Sequence, residues 1–222
     1  MTDRPRFVAI IMDGNARWAR SRGLGITEGH RAGTDALKRT VKLAGELEIK
    51  QLTVYAFSTE NWTRPLQEVT GLMSLFLERI RLEAEEMDSE GVRLRFIGRR
   101  DRIAPQVSEE IEWAEQLTER HTRCTVFVAF DYGGRAEILH AAERYQGGGE
   151  EEFRRRLYAP DLEDPQLIIR TGGELRLSNF LLWESAYSEL YFSDKLWPDF
   201  DRDELERALD AFAERDYRYG GR

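Results

Sequence analysis

Positive charge is in deficit in this chain. Its 222 residues carry 33 Lys and Arg against 41 Asp and Glu, a net charge of −8. General nucleic-acid binding needs a basic face that displaces counterions, so nucleic acid is excluded as a broad partner. Cysteine is nearly absent, with only Cys124, inside "TRCTVFVAF". It cannot close an internal disulfide or join the paired thiols of a zinc site, and it reads as a buried core thiol. Long apolar runs are missing too. None could span a bilayer, and "MTDRPRFVAIIM" lacks a signal peptide's apolar stretch, so a cytoplasmic location is expected. Contact with a membrane surface is left open by composition. Neither Gly-x-x-x-x-Gly-Lys-Ser/Thr nor a strand-linked Gly-x-Gly-x-x-Gly occurs, so nucleotide binding of those kinds is unsupported.

What is present is enough apolar residue, 41%, for one sizeable core, and a single domain over 1–222 is expected. Apolar runs fall at 7–12, 51–57, 92–98, 123–130 and 166–170, with a weaker sixth at 188–192. Helical spacing lies between them, as at Leu37, Val41, Ala44 and Leu47. Strands alternating with helices predict an α/β fold with a mostly parallel sheet of about six strands. Ligands of such sheets sit beyond the carboxyl ends of the strands. The glycine and charge runs of "YQGGGEEEFRRR" read as an exposed mobile loop. Residues 67–88 form a helix whose apolar stripe, from Val69 to Met87, is widened by Leu75, Leu77 and Leu82. A surface helix needs only one stripe. The extra width fits a helix packed on two sides, or one lining an apolar tunnel. Cys124, Phe127 and Phe130 read as core, with plugs that close the tunnel as the alternative.

Three strand ends carry chemistry. After 7–12 stand Asp13, Gly14, Asn15, Ala16, Arg17 and Trp18. An aspartate binds a hard cation, and a guanidinium forks onto phosphate oxygens. "GHRAG" at 29–33 adds His30 at the start of a helix. After 51–57 come Ser58, Thr59, Glu60, Asn61, Trp62 and Arg64; after 166–169 come Arg170, Arg176, Leu177 and Ser178 around a glycine turn. Each segment alone reads equally as a helix cap or a salt-bridged loop. Together, gathered on one sheet edge, they suit a diphosphate and a metal.

At these residues the sequence resembles the cis-prenyltransferases of the undecaprenyl diphosphate synthase type. "IIMDGNARWA", "GHRAG", "YAFSTENWTRP", "RTGGELRLSNFLLW", "AYSELYF" and "LWPDF" match in family order across nearly the whole chain. The resemblance implies a homodimer that condenses isopentenyl diphosphate with an allylic diphosphate, such as farnesyl or geranyl diphosphate, to give a Z-polyprenyl diphosphate. It implies Mg²⁺ on Asp13 and Glu189, with Asp13 as the central catalytic group. It places Gly14, Asn15, Ala16, Arg17, Trp18, His30 and Arg64 at the allylic diphosphate. Ser58, Thr59, Glu60, Asn61 and Trp62 fall in the second catalytic segment, where Asn61 is usually given the proton-accepting role. A neutral amide is a weak base, so a relay through Ser58, water or the departing diphosphate is the better chemistry. Arg170, Arg176, Leu177 and Ser178 match the isopentenyl diphosphate site. The tail "RYGGR" resembles the family's ending, which reaches toward the neighbouring site in the dimer. The apolar product would be released at a membrane surface.

Four residues depart from the family's pattern. Ala16 replaces a glycine, and alanine would be strained there if the backbone needed positive φ. Ile26 stands where many members carry an Arg, Leu175 where some carry a His, and Asp131 where Asn is common. The other readings are a non-catalytic partner subunit that binds prenyl diphosphate, which should have lost residues such as Asp13 and Asn61, and a phosphate-ester hydrolase using the same Asp and metal.

Overall fold

β1 (Phe7–Ile11) is wholly apolar and is buried from Val8 to Ile11, as the middle of a parallel sheet requires. It pairs with β2 (Gln51–Ser58) on one side and β5 (Leu167–Arg170) on the other. β3 (Val92–Ile97), β4 (Cys124–Tyr132) and β6 (Glu189–Phe192) complete the sheet. The strand order is β3-β4-β2-β1-β5-β6, and every pairing is parallel. The computed structural model describes residues 4–214. The tail "RYGGR" lies outside the described residues.

Strand alternation divides the core between two faces. Val8, Ile10, Leu52, Val54, Val126 and Val128 meet the buried stripes of four helices: α2 (Ile26–Glu46), α3 (Leu66–Ser89), α4 (Pro105–Thr118) and α7 (Arg202–Ala213). Ala9, Ile11, Phe127, Ala129 and Ile168 turn to the other face, against Phe180, Leu181 and Leu162. Each fully buried branched side chain stabilises the fold by roughly 1.5–3 kcal/mol. Cys124 is buried in the first of these clusters, and burial pushes its thiol up to about 11.

The chain leaves β1 toward β2 and later leaves β5 toward β6, so the connections diverge at the β1–β5 pair. That divergence opens a crevice at the carboxyl ends of the strands. A short helix, α1 (Asn15–Ser21), follows β1 directly. Its N-cap Gly14 has φ 115, and a Cβ there would lie 2.9 Å from Leu196 Cδ2.

Two expectations need correction. α2 begins at Ile26, so "GHRAG" lies inside the helix and not at its start. Its glycines mark a close contact: a Cβ on Gly29 would meet the Asn15 carbonyl oxygen at 2.3 Å, and one on Gly33 would meet Asn15 Oδ1 at 2.5 Å. The stretch expected to be loop near 145–156 contains a further helix, α6 (Gly149–Arg154), beyond α5 (Gly134–Ala142). Ala16 takes helical backbone in α1 and is not among the residues at positive φ, so the condition under which alanine would be strained there is not met.

Candidate active site

The ends of β1 and β5 are level, with Ile11 opposite Arg170. Thr171 fastens them together. Its Oγ1 accepts from the Asp13 amide at 2.9 Å and donates to the Asp13 carbonyl at 2.7 Å. The carboxylate of Asp13 is thereby held at the sheet edge between two guanidiniums. Arg170 Nη2 donates to Oδ2 at 2.9 Å, and Arg17 Nη2 lies 3.2 Å from Oδ1. Arg17 Nη1 also donates to the Gly172 carbonyl at 2.7 Å. A Cβ on Gly172, which has φ +86, would lie 2.4 Å from Arg17 Nη2, so this guanidinium needs glycine beside it.

Arg170 is only 4% exposed. Its Nη1 donates to the Arg176 carbonyl at 2.5 Å and to Ser178 Oγ at 2.7 Å, while its Nε is buried without a partner. Ser178 (φ 50) and Asn179 (φ 66) are consecutive left-handed residues. Such backbone is costly for non-glycine residues and persists where the surroundings over-determine it. Here it turns Ser178 toward Arg170 and lets Asn179 Nδ2 donate to Glu60 Oε1 at 2.8 Å. The β5 loop is thus tied to the segment after β2.

That segment is a 3-10 turn (Thr59–Thr63) closed by a reciprocal cap. The Ser58 side chain accepts from the Asn61 amide, and the Ser58 amide donates to Asn61 Oδ1 at 3.0 Å. The Asn61 oxygen thus accepts one hydrogen bond within the cap, and its NH₂ is a donor open to a ligand. Burial opposes ionisation of Glu60. Hydrogen bonds from Asn179, its own backbone, Thr59 and Ser58 outweigh burial and hold its carboxyl below the usual range. Burial raises the Tyr55 hydroxyl, with Glu60 adding to it.

These groups line a cleft of about 620 Å³. Asp13, Gly14, Asn15, Ala16, Arg17, His30, Ser58, Glu60, Asn61, Arg64, Arg170 and Ser178 all face it. Three guanidiniums stand against two carboxylates, which suits a multiply charged anion. Arg64 also pairs with Glu68 at 2.9 Å. His30 Nε2 is buried without a partner, and burial, then Arg64, lowers the imidazole's pKa against the pull of Glu68. A neutral ring with an open nitrogen can hydrogen-bond a phosphate oxygen.

Other expected residues lie off the cleft wall. Trp18 donates from Nε1 to Asp199 at 2.8 Å, behind α1. Thr59 hydrogen-bonds Glu60 at 3.1 Å. Trp62 stacks edge-on against Phe57 and donates to Asp131 Oδ1 at 2.7 Å. The Arg176 side chain is exposed and pairs with Glu174; Leu177 packs on the core face beyond. Glu189 opens β6 opposite Leu167, at the amino end of the pairing, whereas Arg170 sits opposite Phe192 at the carboxyl end. Three residues of strand, about 10 Å, separate those levels. Within one chain Glu189 does not meet Asp13. Thr171, Asn179 and Tyr55 were missed as site residues. The only sequence signal for the first two was their position beside Arg170 and Ser178.

Among the described residues, no three His, Cys, Asp or Glu side chains gather to hold a metal ion. A small hard dication commonly takes one or two carboxylates and fills its remaining positions with substrate phosphate and water. The half-exposed carboxylate of Asp13 at the cleft fits that pattern.

A second cavity, about 180 Å³, continues from the first between α2, α3 and the sheet. The two meet at Met12, Asn15, His30, Ala56 and Leu72. Its walls are mostly apolar, with Leu37, Met73, Phe76, Ile80, Phe96 and Phe130, and Arg79 and Glu83 also line it. Phe130 is thus cavity wall, while Phe127 lies on the opposite face of the sheet.

A charged cleft opening into an apolar cavity, at the carboxyl edge of a parallel sheet, has the chemistry to suit an anionic head joined to a hydrocarbon tail. The Prenyltransf family model, described as undecaprenyl diphosphate synthase, matches residues 11–220. An isoprenyl transferase of Thermotoga maritima is 50% identical over 226 residues, covering 98% of this chain and 97% of that one. A ditrans,polycis-undecaprenyl-diphosphate synthase ((2E,6E)-farnesyl-diphosphate specific) of Pectobacterium atrosepticum is 47% identical, covering 98% and 90%. The crystal structure of lavandulyl diphosphate synthase from Lavandula x intermedia with dimethylallyl diphosphate superposes with a TM-score of 0.94, at 33% identity, over 98% of this chain and 99% of that one. The chain belongs to this family, the cis-prenyltransferases, whose activity is cis-prenyl chain elongation.

Proposed function

We propose that this chain condenses isopentenyl diphosphate with an allylic diphosphate of the farnesyl or geranyl type. The observation that carries the reading is the junction of the two cavities: a cationic cleft for a diphosphate runs into an apolar space for its tail. The solved relative above holds an allylic diphosphate, and the Pectobacterium relative is named for farnesyl diphosphate, which supports the primer class.

Arg17, His30 and the NH₂ of Asn61 hold the allylic diphosphate, with Arg64 at the rim. Arg170, fixed by Asp13 and Ser178, holds the diphosphate of the second substrate, and Arg176 reaches it by leaving Glu174. Mg²⁺ on Asp13 would neutralise diphosphate charge and favour loss of the leaving group. The allylic C–O bond breaks and its electron pair leaves with diphosphate. The alkene of isopentenyl diphosphate forms the new C–C bond, and a proton is lost to give the cis double bond. A neutral amide is a weak base, so the proton passes to the departing diphosphate, directly or through Ser58 or water.

A homodimer is the proposed assembly, and it is the setting in which Glu189 would join a metal site. Release of product at a membrane surface follows from the product's chemistry. Among the described residues no helix is long and apolar enough to cross a membrane. Titration of Mg²⁺ with and without inorganic diphosphate tests the metal reading. With Asp13 alone contributing in this chain, binding should tighten when diphosphate is added. Tight binding that is unaffected by diphosphate or by Asp13→Ala places the metal elsewhere. Retention of Asp13, Asn61, Arg170 and Ser178 in one cleft weighs against a non-catalytic subunit.

A further inference from the structure

A third cavity, a groove of about 360 Å³, lies between the start of α2 and the start of α3. Ile26 and Thr27 stand on one side of it, Pro65 and Gln67 on the other. Leu72 lines this groove, the charged cleft and the apolar cavity alike, and Leu75 lines the groove and the apolar cavity. The groove therefore borders the apolar cavity sideways, with these two leucines as the shared wall. Its flanks carry apolar side chains in water. Leu66, the first residue of α3, is 81% exposed, and Leu24, two residues before α2, is 43% exposed. Residues 20–25 and 63–67 are exposed throughout, so both leucines stand on segments open to solvent. A single exposed leucine needs no explanation. Two of them on opposite flanks of one groove, beside a hydrocarbon cavity, form a common face.

Charge says what this face can meet. The chain's net charge of −8 opposes approach to an anionic surface. Around the groove that excess is cancelled. Glu68 pairs with Arg64, Glu78 with Arg31 and Asp199 with Arg22. Glu28 sits in the first turn of α2, where the helix dipole favours an acid. Arg20, exposed in the last turn of α1, has no acidic partner among the described residues. The face is thus neutral on an acidic chain, with one free guanidinium four residues from Leu24. A second copy of the chain fits it poorly. A stable protein interface buries about 800 Å² per partner, and two separated leucines supply a small part of that. A lipid surface takes protruding apolar side chains singly, with arginine at the level of the headgroups.

We propose that Arg20, Leu24 and Leu66 dock this protein on an anionic lipid surface, with the groove as the route of the prenyl tail between cavity and bilayer. The inference rests on the elongation reading above and names the surface where its product is released. It is tested by flotation of the full chain with vesicles of equal parts phosphatidylcholine and phosphatidylglycerol. Wild type should bind them, less tightly as salt is raised. Leu24→Ser/Leu66→Ser should bind about tenfold more weakly or worse. Arg20→Gln should bind about fivefold more weakly, the scale of one cation near an anionic surface. All three side chains are exposed, so these variants should keep the wild-type melting temperature and, in detergent, wild-type turnover. Leu82→Ser, exposed on α3 about 24 Å further along the helix, is the control for general loss of apolar surface and should bind like wild type.

Cys124 is buried, so a polarity-sensitive dye on Leu24→Cys reports that position alone. Its emission should shift to the blue with the mixed vesicles and stay unshifted in protein alone. A blue shift that grows with protein concentration, without vesicles, shows a second copy covering the face and overturns the proposal. Absence of wild-type binding, undiminished binding by Leu24→Ser/Leu66→Ser, or an equal loss in Leu82→Ser also overturns it. Each of these leaves the elongation reading standing. A wild type that makes no prenyl product overturns the elongation reading, and the route for the tail with it.

Discussion

Asp13 and Arg170, 157 residues apart in the chain, meet at 2.9 Å across the carboxyl ends of two neighbouring parallel strands. Level strand register and the double hydrogen bond of Thr171 bring them there. The pair places one carboxylate and a buried guanidinium at the floor of the cleft, where a metal and a diphosphate would compete for each.

Asp13→Asn keeps an acceptor for Arg170 but loses the charge. Its stability should stay within about 1 kcal/mol of wild type, read by denaturant unfolding. Turnover should fall by about 10²–10³-fold, the usual scale for losing an electrostatic group at the reacting centre. Wild-type-like turnover would remove Asp13 from its central role.

Ala16→Gly separates strain from helix propensity. A residue held at positive φ would be relieved by glycine, and the melting temperature would rise. Ala16 is helical, so glycine should cost up to about 1 kcal/mol, a fall of about 2–4 °C for a chain of this length. Differential scanning calorimetry gives the sign directly.

Glu137 and Glu184 form a buried acidic pair behind the site, each less than 4% exposed. Tyr132 donates to Glu137, while Glu184 Oε2 has no partner. Burial raises both carboxyls, and Glu137 raises Glu184 further, to about 8. A carboxyl raised on folding favours the fold fully below its ordinary value of 4.5 and loses that contribution as pH climbs through the raised one. Stability should decline between about pH 4.5 and 8. Glu184→Gln cannot ionise, so its melting temperature should gain on wild type as pH rises. A constant gap from pH 5 to 9 would contradict this.

Asp131 is fully buried and accepts from both Trp62 and Arg102. Trp62 belongs to the turn that carries Glu60 and Asn61, so Asp131 acts as a positioning residue. Asp131→Ala should cost about 1–3 kcal/mol for the donors it strands and weaken substrate binding. Asp131→Asn preserves an acceptor for Trp62 and should retain most of that binding. Equal KM values in the two variants would refute the positioning role.

Much of this was legible in the residues. The branched runs marked the strands because a central parallel strand is buried on both faces, and the three polar strand ends converged as the sheet edge requires. α2 was read short because glycine at 29 and 33 looks like a boundary, when it marks close contact with α1. α6 was hidden in a glycine and charge run. Glu189 was assigned through the family resemblance, which does not tell at which end of a strand pairing a side chain falls. The weak basicity of Asn61 was legible in its type, whereas its reciprocal cap with Ser58 is seen only in the structure.

The central claim is tested by incubating the protein with Mg²⁺, an allylic primer and labelled isopentenyl diphosphate, then extracting apolar products. The account predicts labelled prenyl diphosphate whose newly formed double bonds are cis by NMR. No labelled apolar product from dimethylallyl, geranyl or farnesyl diphosphate, or release of inorganic phosphate without condensation, would contradict it.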